Sequence, residues 1–245
     1  MASDVPAILE IAANSLDSAL AAEQGGATRI ELCAALEVGG LTPSPGLIEL
    51  VRKRVRIPVY VLIRPRAGDF VYTDAEFDTM QRDIEHCVAL GCEGVVIGAL
   101  DENGAINVPR CRLLVATAGK LGVTFHRAFD MTRDLAAALE DVIALGCERV
   151  LTSGGAPNAL AGAETIRDLV RQAGARLRVM PGAGIDASNV ATIRSITAAN
   201  EFHASAKRLL PSRLRAANPQ DLGMSGGEWR TDAERVRAIA RALQS

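Results

Sequence analysis

The segment ALGCEGVVIG at residues 89–98 recurs as ALGCERVLTS at residues 144–153. In both copies a helical pattern ends at a glycine, and a cysteine, a glutamate and a short β-rich run follow. A β-rich run directly after a helix is the repeating unit of a βαβ chain. The repeat therefore places Cys92 and Cys147 in turns at the N-terminal ends of strands, the side of a barrel that serves stability.

The same alternation of helix and strand continues along the whole chain. Eight β-rich runs are separated by helical patterns, and a new run starts about every 28 residues, a spacing that suits a barrel. The predicted strands are Ile8–Ala12, Arg29–Cys33, Val59–Arg64, Val95–Gly98, Val123–His126, Arg149–Thr152, Leu177–Met180 and Glu201–Ser205. For a chain of 245 residues without a linker this predicts one (β/α)8 TIM-barrel domain, a parallel eight-stranded barrel with outer helices, over residues 1–245.

Several helix boundaries are marked by their capping residues. Ser44-Pro45 is typical of an N-cap followed by proline at the first helical position. The string TDAE occurs twice, and Thr73–Glu76 and Thr231–Glu234 are predicted to be capping boxes. Glycines suited to the left-handed position after a helix are Gly25-Gly26, Gly91, Gly119 and Gly146.

Composition excludes several classes of function. The formal charge is -2 and aromatic residues make up 3%, which argues against nucleic-acid binding. No apolar stretch is long enough to span a membrane, and Met1–Pro6 lacks the features of a signal peptide. The five cysteines are odd in number and form no CxxC pair, so we expect reduced thiols in the cytoplasm.

Ionisable residues alternate with apolar residues in several predicted strands. Successive side chains of a strand point to opposite faces, and a carboxylate facing the apolar helix layer would be costly to bury. Glu10 and Glu31 are therefore predicted to point into the barrel, and the same reasoning turns Arg64, His126 and His203 inward. Ionisable groups from five strands would then meet at one end of the barrel, where barrel enzymes build their sites.

The loops after the strands add cations and glycines. Arg64 is followed by Arg66 and Asp69, and His126 by Arg127 and Asp130. Arginine suits bidentate contact with carboxylate or phosphate, so these loops are predicted to form an anion clamp. Loops that expose backbone N–H groups or hydroxyls to an anion are predicted at Ser153, Gly154, Gly155, Gly182, Gly184 and Ser205.

Each of these signals has a purely structural alternative. Glu10 and Arg64 could form an ion pair that only stabilises the barrel interior. Either His126 or His203 could be a hydrogen-bonded core residue. Cys33 ends a strand on the functional side, where it could be a buried thiol or a metal ligand.

Longer motifs make the chain resemble the CutC family, known as copper homeostasis proteins. The strings are LEIAANSLDSALAAEQGGATRIELC (9–33), GGLTPSPG (39–46), IPVYVLIRPRAGDFVYTDAEF (57–77), VTFHRAFDM (123–131), RVLTSGG (149–155), PGAGI (181–185) and EFHASA (201–206). The resemblance implies a cytosolic TIM barrel, often a homodimer, with a role in copper handling and copper-ion binding in some members.

The chain departs from the family pattern at two places. Many relatives carry a cysteine at the position of Ala12, so a site that would use two neighbouring thiolates has only Cys33 here. The segment 207–230 follows the pattern loosely, and we expect it to be a loop on the functional face that is long enough to act as a lid.

Two functions are open at this point. One is copper binding through Cys33, with His126, His203 or Met180 as further ligands, because Cu(I) prefers soft sulfur ligands. The other is an enzyme, an isomerase, lyase or hydrolase, that acts on a small anionic molecule, phosphorylated or not, with Glu10, Glu31 or His126 moving protons. A Schiff-base aldolase is disfavoured because Lys207 is the only lysine near the site. The structural alternative is a barrel whose inward charges only balance one another.

Overall fold

The computed structural model describes residues 6–213 and 227–244, which contain one eight-stranded parallel sheet. The strands are β1 (Ile8–Ala13), β2 (Arg29–Leu32), β3 (Val59–Leu62), β4 (Gly94–Ile97), β5 (Gly122–Phe125), β6 (Arg149–Thr152), β7 (Arg178–Pro181) and β8 (Glu201–Ala204). Each predicted strand is present, with its ends shifted by at most two residues.

The sheet curls into a barrel. Its strand order is β7-β6-β5-β4-β3-β2-β1-β8, and β7 also contacts β8, which brings the two edges of the sheet together. The register places Glu10 of β1 opposite Arg29 of β2 on one side and opposite His203 of β8 on the other. The (β/α)8 TIM-barrel prediction is confirmed, and this register positions three ionisable residues side by side.

Eight α-helices in the described residues form the outer layer. They are α1 (Leu16–Gly25), α2 (Pro45–Arg54), α3 (Asp74–Ala89), α4 (Val108–Ala118), α5 (Leu135–Ala144), α6 (Ala163–Ala173), α7 (Val190–Thr197) and α8 (Ala233–Ala242). None of the described helices is both long and apolar enough to cross a membrane. Between helices and strands the core is aliphatic and aromatic, and side chains such as Phe125, Phe129 and Phe202 are fully buried in it.

The capping signals were mostly correct. Ser44 caps α2 with proline in its first turn, and Thr73 and Glu76 form the reciprocal capping box of α3. Gly26 ends α1 in the left-handed conformation, at φ 94°. The second predicted capping box is wrong: Asp232, not Thr231, caps α8 and accepts a hydrogen bond from the Arg235 amide at 3.0 Å. Thr231 is instead the last residue of a strand, which the repeated TDAE string does not reveal.

The ends of segment 207–230 are ordered differently from the expected loop. Strands β9 (Lys207–Pro211) and β10 (Gly227–Thr231) pair as an antiparallel hairpin, while residues 214–226 lie outside the described residues. The hairpin is bonded to the first βα loop, because Asn14 Nδ2 donates to the Trp229 carbonyl at 2.8 Å. Thr231 Oγ1 also donates to the Ala12 carbonyl at 3.0 Å. A role of this segment as a lid stays a prediction.

Candidate functional site

A cavity of about 240 Å³ opens at the C-terminal ends of the strands. Eight of the residues predicted from the sequence to form the site line this cavity: Glu31, Cys33, Arg64, His126, Arg127, Gly184, His203 and Ser205. They come from five strands and the loops that follow them. The wall also contains Phe70 and Lys207, which were not assigned to the site. The expected convergence of charged side chains on one cavity is therefore present.

A chain of three ionisable residues crosses the floor of the cavity. His203 Nδ1 lies 2.8 Å from Glu10 Oε1, and His203 Nε2 lies 3.7 Å from Glu31 Oε2. Glu10 is fully buried beneath the cavity, whereas Glu31 and His203 line it. Glu10 therefore orients the imidazole, whose Nε2 faces Glu31 at the cavity floor.

The two carboxyl groups of this chain have opposite pKa shifts. Burial by itself would raise the pKa of Glu10, but the charge of Arg29 and the hydrogen bond from His203 outweigh it and lower that pKa to about 2. Burial raises the pKa of Glu31 to about 7, and the neighbouring Glu10 charge adds to this rise. The pKa of His203 is raised, because the two carboxylates outweigh the cost of burying its charge. Groups with pKa values driven apart in this way are suited to separate acid and base roles.

The floor rests on an ionic network inside the barrel. Arg29 Nε bonds Glu10, and Arg29 Nη2 donates to Glu201 at 2.8 Å. Glu201 also accepts from Arg149 Nε at 2.9 Å, and Arg149 reaches Thr124 Oγ1 at 3.1 Å. Glu10 therefore pairs with Arg29, and the expected alternative of an ion pair with Arg64 is not found among the described contacts.

Sequence reasoning missed this network, although the signal was present. Arg29 precedes Glu31 by two residues, and Glu201 precedes His203 by two, so each pair shares one face of its strand. The alternation of side chains along a strand that predicts inward positions for Glu31 and His203 also predicts them for Arg29 and Glu201.

His126 is a buried, neutral imidazole in the cavity wall. Its Nδ1 accepts a hydrogen bond from the Ala128 amide at 3.1 Å, so Nε2 carries the proton. Burial, helped by the Arg64 charge, lowers the pKa of His126 to about 3. Its ring packs against Phe70 with 4.9 Å between ring centroids. Nε2 is buried and has no hydrogen-bond acceptor in the part of the chain that the structure describes.

The two arginines of the loop after β3 have different places. Arg64 is buried in the cavity wall, and its Nη atoms donate to the carbonyls of Val38, Gly40 and Gly68 at 2.9–3.0 Å. Arg66 lies outside the cavity lining and bonds Asp69 at 2.9 Å and Glu76 at 2.6 Å. Arg64 therefore brings a positive charge to the cavity, while Arg66 and Asp69 hold the loop together.

The carboxylate of Asp130 binds to the Ser153–Gly155 loop, which was expected to bind the anion of a ligand. Its carboxylate accepts from the amides of Ser153 at 3.0 Å and Gly155 at 3.1 Å, and from Arg127 Nε at 2.8 Å. Gly154 turns its amide to Thr152 Oγ1 at 2.8 Å. The Ser153–Gly155 loop thus binds an anion that belongs to the protein itself, and Asp130 pairs with Arg127 rather than with His126.

The glycine loop after β7 borders two neighbouring cavities. Gly182 packs against strand β6, since an added Cβ would lie 2.4 Å from Leu151 Cδ1. Gly184, Ser205 and Lys207 line both the 240 Å³ cavity and an adjoining one of about 490 Å³ that also contains Arg235. This second opening lies where TIM barrels frequently bind phosphate, between the loop after strand seven and the end of strand eight.

Among the described residues, one cluster and one single thiol are candidate metal ligands. Glu10, Glu31 and His203 each offer an atom within 4.8 Å of the others, but Glu10 already bonds the Arg29 guanidinium, whose charge opposes a cation. Cys33 is a buried thiol in the cavity wall. Burial and the Glu31 charge raise its pKa, so a metal would have to displace the thiol proton. Met180 is less suited, because its sulfur accepts from Arg29 Nη2 at 3.3 Å.

Fold and cavity together define the class: a TIM barrel with an ionisable site at the C-terminal ends of its strands. The family model described as "CutC family" matches residues 7–208. A CutC family protein of Xanthomonas campestris pv. campestris is 56% identical over 237 residues, covering 97% of this chain and 99% of the relative. The chain therefore belongs to the CutC family.

Solved structures agree with this assignment. A CutC protein of Streptococcus agalactiae, whose name provisionally assigns it to copper homeostasis, is 32% identical with a TM-score of 0.77. That match covers 80% of this chain and 97% of the S. agalactiae chain. A thiamine phosphate pyrophosphorylase of Pyrococcus furiosus has a TM-score of 0.61 at 13% identity, covering 97% of this chain and 95% of its own, which shows a shared fold only.

Proposed function

We propose that this chain has the copper-homeostasis role that the name of its S. agalactiae relative carries. The observation that supports a direct part in copper handling is the place of Cys33, a soft thiol in the wall of the strand-end cavity. Because this thiol is buried and protonated and shares the cavity wall with Arg64 and Lys207, we expect modest rather than tight Cu(I) affinity.

A Cu(I) competition titration under reducing conditions tests this proposal. The native protein should bind one Cu(I), and Cys33→Ser should lose that binding. Cys111→Ser is the matched control, since Cys111 is equally buried but lies in helix α4, where its thiol donates to the Ala99 carbonyl, and does not line the cavity. Binding that survives in Cys33→Ser, or that falls equally in Cys111→Ser, would exclude Cys33 as the ligand.

A second function, an enzyme that moves protons on a small anionic molecule, is favoured by the Glu10–His203–Glu31 chain. Glu10 is ionised and holds Nδ1–H of His203, which leaves Nε2 to exchange protons with a ligand or with Glu31. Glu31, with a pKa of about 7, is able to give or take a proton near neutral pH. Arg64, Arg127 and Lys207 give the cavity a positive wall for an anion.

Deuterium exchange at acidic carbons tests the second function. The protein should catalyse exchange into a panel of small 2-oxo and 2-hydroxy carboxylates and sugar phosphates in D₂O. His203→Gln and Glu31→Gln should each slow the exchange by roughly 100-fold or more. His86→Gln, which removes a histidine from helix α3, should exchange at the native rate. Equal exchange rates in the native protein and all three variants would exclude this activity.

Two further expectations come with family membership. We propose that the protein acts in the cytoplasm, in keeping with its five free cysteines, and that it forms a homodimer as the resemblance implies. Light scattering coupled to gel filtration gives the mass in solution, and a mass of one chain would exclude the dimer.

A further inference from the structure

Two polar atoms of the cavity wall, His126 Nε2 and Arg64 Nε, are buried without a hydrogen-bond partner among the described residues, and neither proposed function uses the His126 atom. His126 Nε2 carries a proton because Nδ1 accepts from the Ala128 amide, yet no described residue accepts that proton. The ring is held in place, since an added Cβ on Gly98 would lie 2.4 Å from its Cε1. A buried donor left without a partner costs free energy, so its retention in a cavity wall points to a ligand oxygen.

The cavity wall holds two cations, Lys207 and Arg64, that have no carboxylate partner among the described residues. Lys207 forms no salt bridge among residues 6–213 and 227–244, and its Nζ stacks 4.9 Å from the centre of the Trp229 ring. Arg127 is paired with Asp130, and the Nη atoms of Arg64 are used by loop carbonyls. Of these two cations, Lys207 is the one whose charged nitrogen is free to bind a negatively charged group of a ligand.

We propose that the cavity binds a small carboxylate that carries a neighbouring carbonyl oxygen, a 2-oxocarboxylate. His126 Nε2–H donates to the carbonyl oxygen, and Lys207 Nζ binds the carboxylate. This assignment rests on the second proposed function, because it names the substrate class of that enzyme. A carbonyl held by a neutral donor is polarised, which makes the protons on its neighbouring carbon easier for His203 and Glu31 to remove.

The donor set favours this class over a phosphate ester. A neutral imidazole beside the Phe70 ring suits an uncharged acceptor such as a carbonyl oxygen better than an anionic phosphate oxygen. The volume of about 240 Å³ has room for a molecule of this class.

Pyruvate and propionate form a matched pair for a binding test, since they share the carboxylate and differ in the carbonyl oxygen. Titration calorimetry should show pyruvate binding roughly tenfold more tightly than propionate to the native protein. His126→Phe should abolish this preference. Lys207→Met should lower the affinity for both ligands by the same factor. His86→Gln, the control, should keep both affinities. A preference that persists in His126→Phe, or no preference in the native protein, would overturn the assignment.

Imidazole NMR of the native protein makes the test independent of variant folding. The chain has three histidines, so the Nε2–H signal of His126 can be assigned with few variants. Pyruvate should shift the resonance of this proton downfield, and propionate should not. An unmoved signal at saturating pyruvate would overturn the role of His126. Pyruvate binding without deuterium exchange would instead exclude the enzyme proposal and leave the binding site intact.

Discussion

At the scale of single residues, His126 makes the free energy of unfolding of the barrel depend on pH. Its pKa is about 3 in the folded protein, against 6.5 for an ordinary histidine. Between these values the unfolded chain binds a proton that the folded chain does not, so stability falls as the pH drops from 6.5 toward 3. At pH 4.5 the loss from this one residue amounts to roughly 2–3 kcal/mol.

Urea unfolding at several pH values measures this effect. We expect His126→Gln to lose roughly 2–3 kcal/mol less than the native protein between pH 6.5 and pH 4.5, because glutamine does not titrate. A difference between the two proteins that stays constant over this range would mean that His126 binds its proton equally well in the folded and the unfolded state.

Residue patterns predicted the inward side chains but not their partners. Parity along a strand correctly brought Glu31, His126 and His203 to one cavity, because period-two alternation is a local property of the backbone. The partner of Glu10 depends on the register between strands, which places Arg29 opposite it and Arg64 two strands away. Register follows from the whole barrel, so no local pattern could choose between the two arginines.

At the scale of elements, Asp130 joins the short helix after β5 to the loop after β6. Its carboxylate accepts the Ser153 and Gly155 amides and the Ser153 hydroxyl, and it is 6% exposed. Asp130→Asn keeps the volume but replaces one acceptor oxygen with an NH₂ group that faces other donors. We expect it to lower the free energy of unfolding by roughly 2–4 kcal/mol.

Hydrogen exchange locates the damage that Asp130→Asn is expected to cause. The Ser153 and Gly155 amides should exchange faster than in the native protein, because they lose their acceptor. Asp168→Asn changes an exposed carboxylate of α6 and should stay within about 0.5 kcal/mol of the native protein. Unchanged protection of both amides would show that the carboxylate does not hold this loop.

The same loop shows why glycine-rich segments are weak predictors. Ser153–Gly155 has the composition of an anion-binding turn, and its amides do bind a carboxylate, but that carboxylate is Asp130 from the preceding loop. A sequence indicates that a turn offers N–H groups, whereas tertiary structure decides whether a protein group or a ligand accepts them.

At the scale of the whole molecule, closure of the barrel depends on a close approach of the first and last helices. Gly25 at the end of α1 leaves room for α8, since an added Cβ would lie 2.5 Å from Val236 Cβ and 2.7 Å from the Ala233 carbonyl oxygen. Alanine normally stabilises a helix relative to glycine by about 1 kcal/mol. Because the Ala233 oxygen belongs to the backbone, we expect the clash to prevail and Gly25→Ala to destabilise the protein by roughly 1–3 kcal/mol.

Gly46→Ala provides the comparison for this prediction. Gly46 lies in the first turn of α2, and an added Cβ there meets no atom within 4 Å. Thermal unfolding should therefore show a higher midpoint for Gly46→Ala and a lower one for Gly25→Ala. A rise in both midpoints would mean that α8 moves away from α1 without cost.

The barrel as a whole could be predicted because its signal is repeated. Each of eight strands adds one more confirmation of the same spacing, so errors of one or two residues at strand ends, as at Arg64, leave the fold unchanged. The β9–β10 hairpin gave no such signal. It occurs once, its strands are partly exposed, and it is held by contacts to Asn14 and Ala12 some 215 residues away in sequence.

The ionic network under the cavity also constrains how this family can change over evolutionary time. Arg29 binds Glu10 and Glu201, and Glu201 also binds Arg149, so replacing Arg29 or Glu201 leaves two buried charges with one partner fewer each. We therefore expect these positions to change together rather than singly among relatives of this chain. A ligand site could then diversify above a set of buried charges that is inherited as one unit.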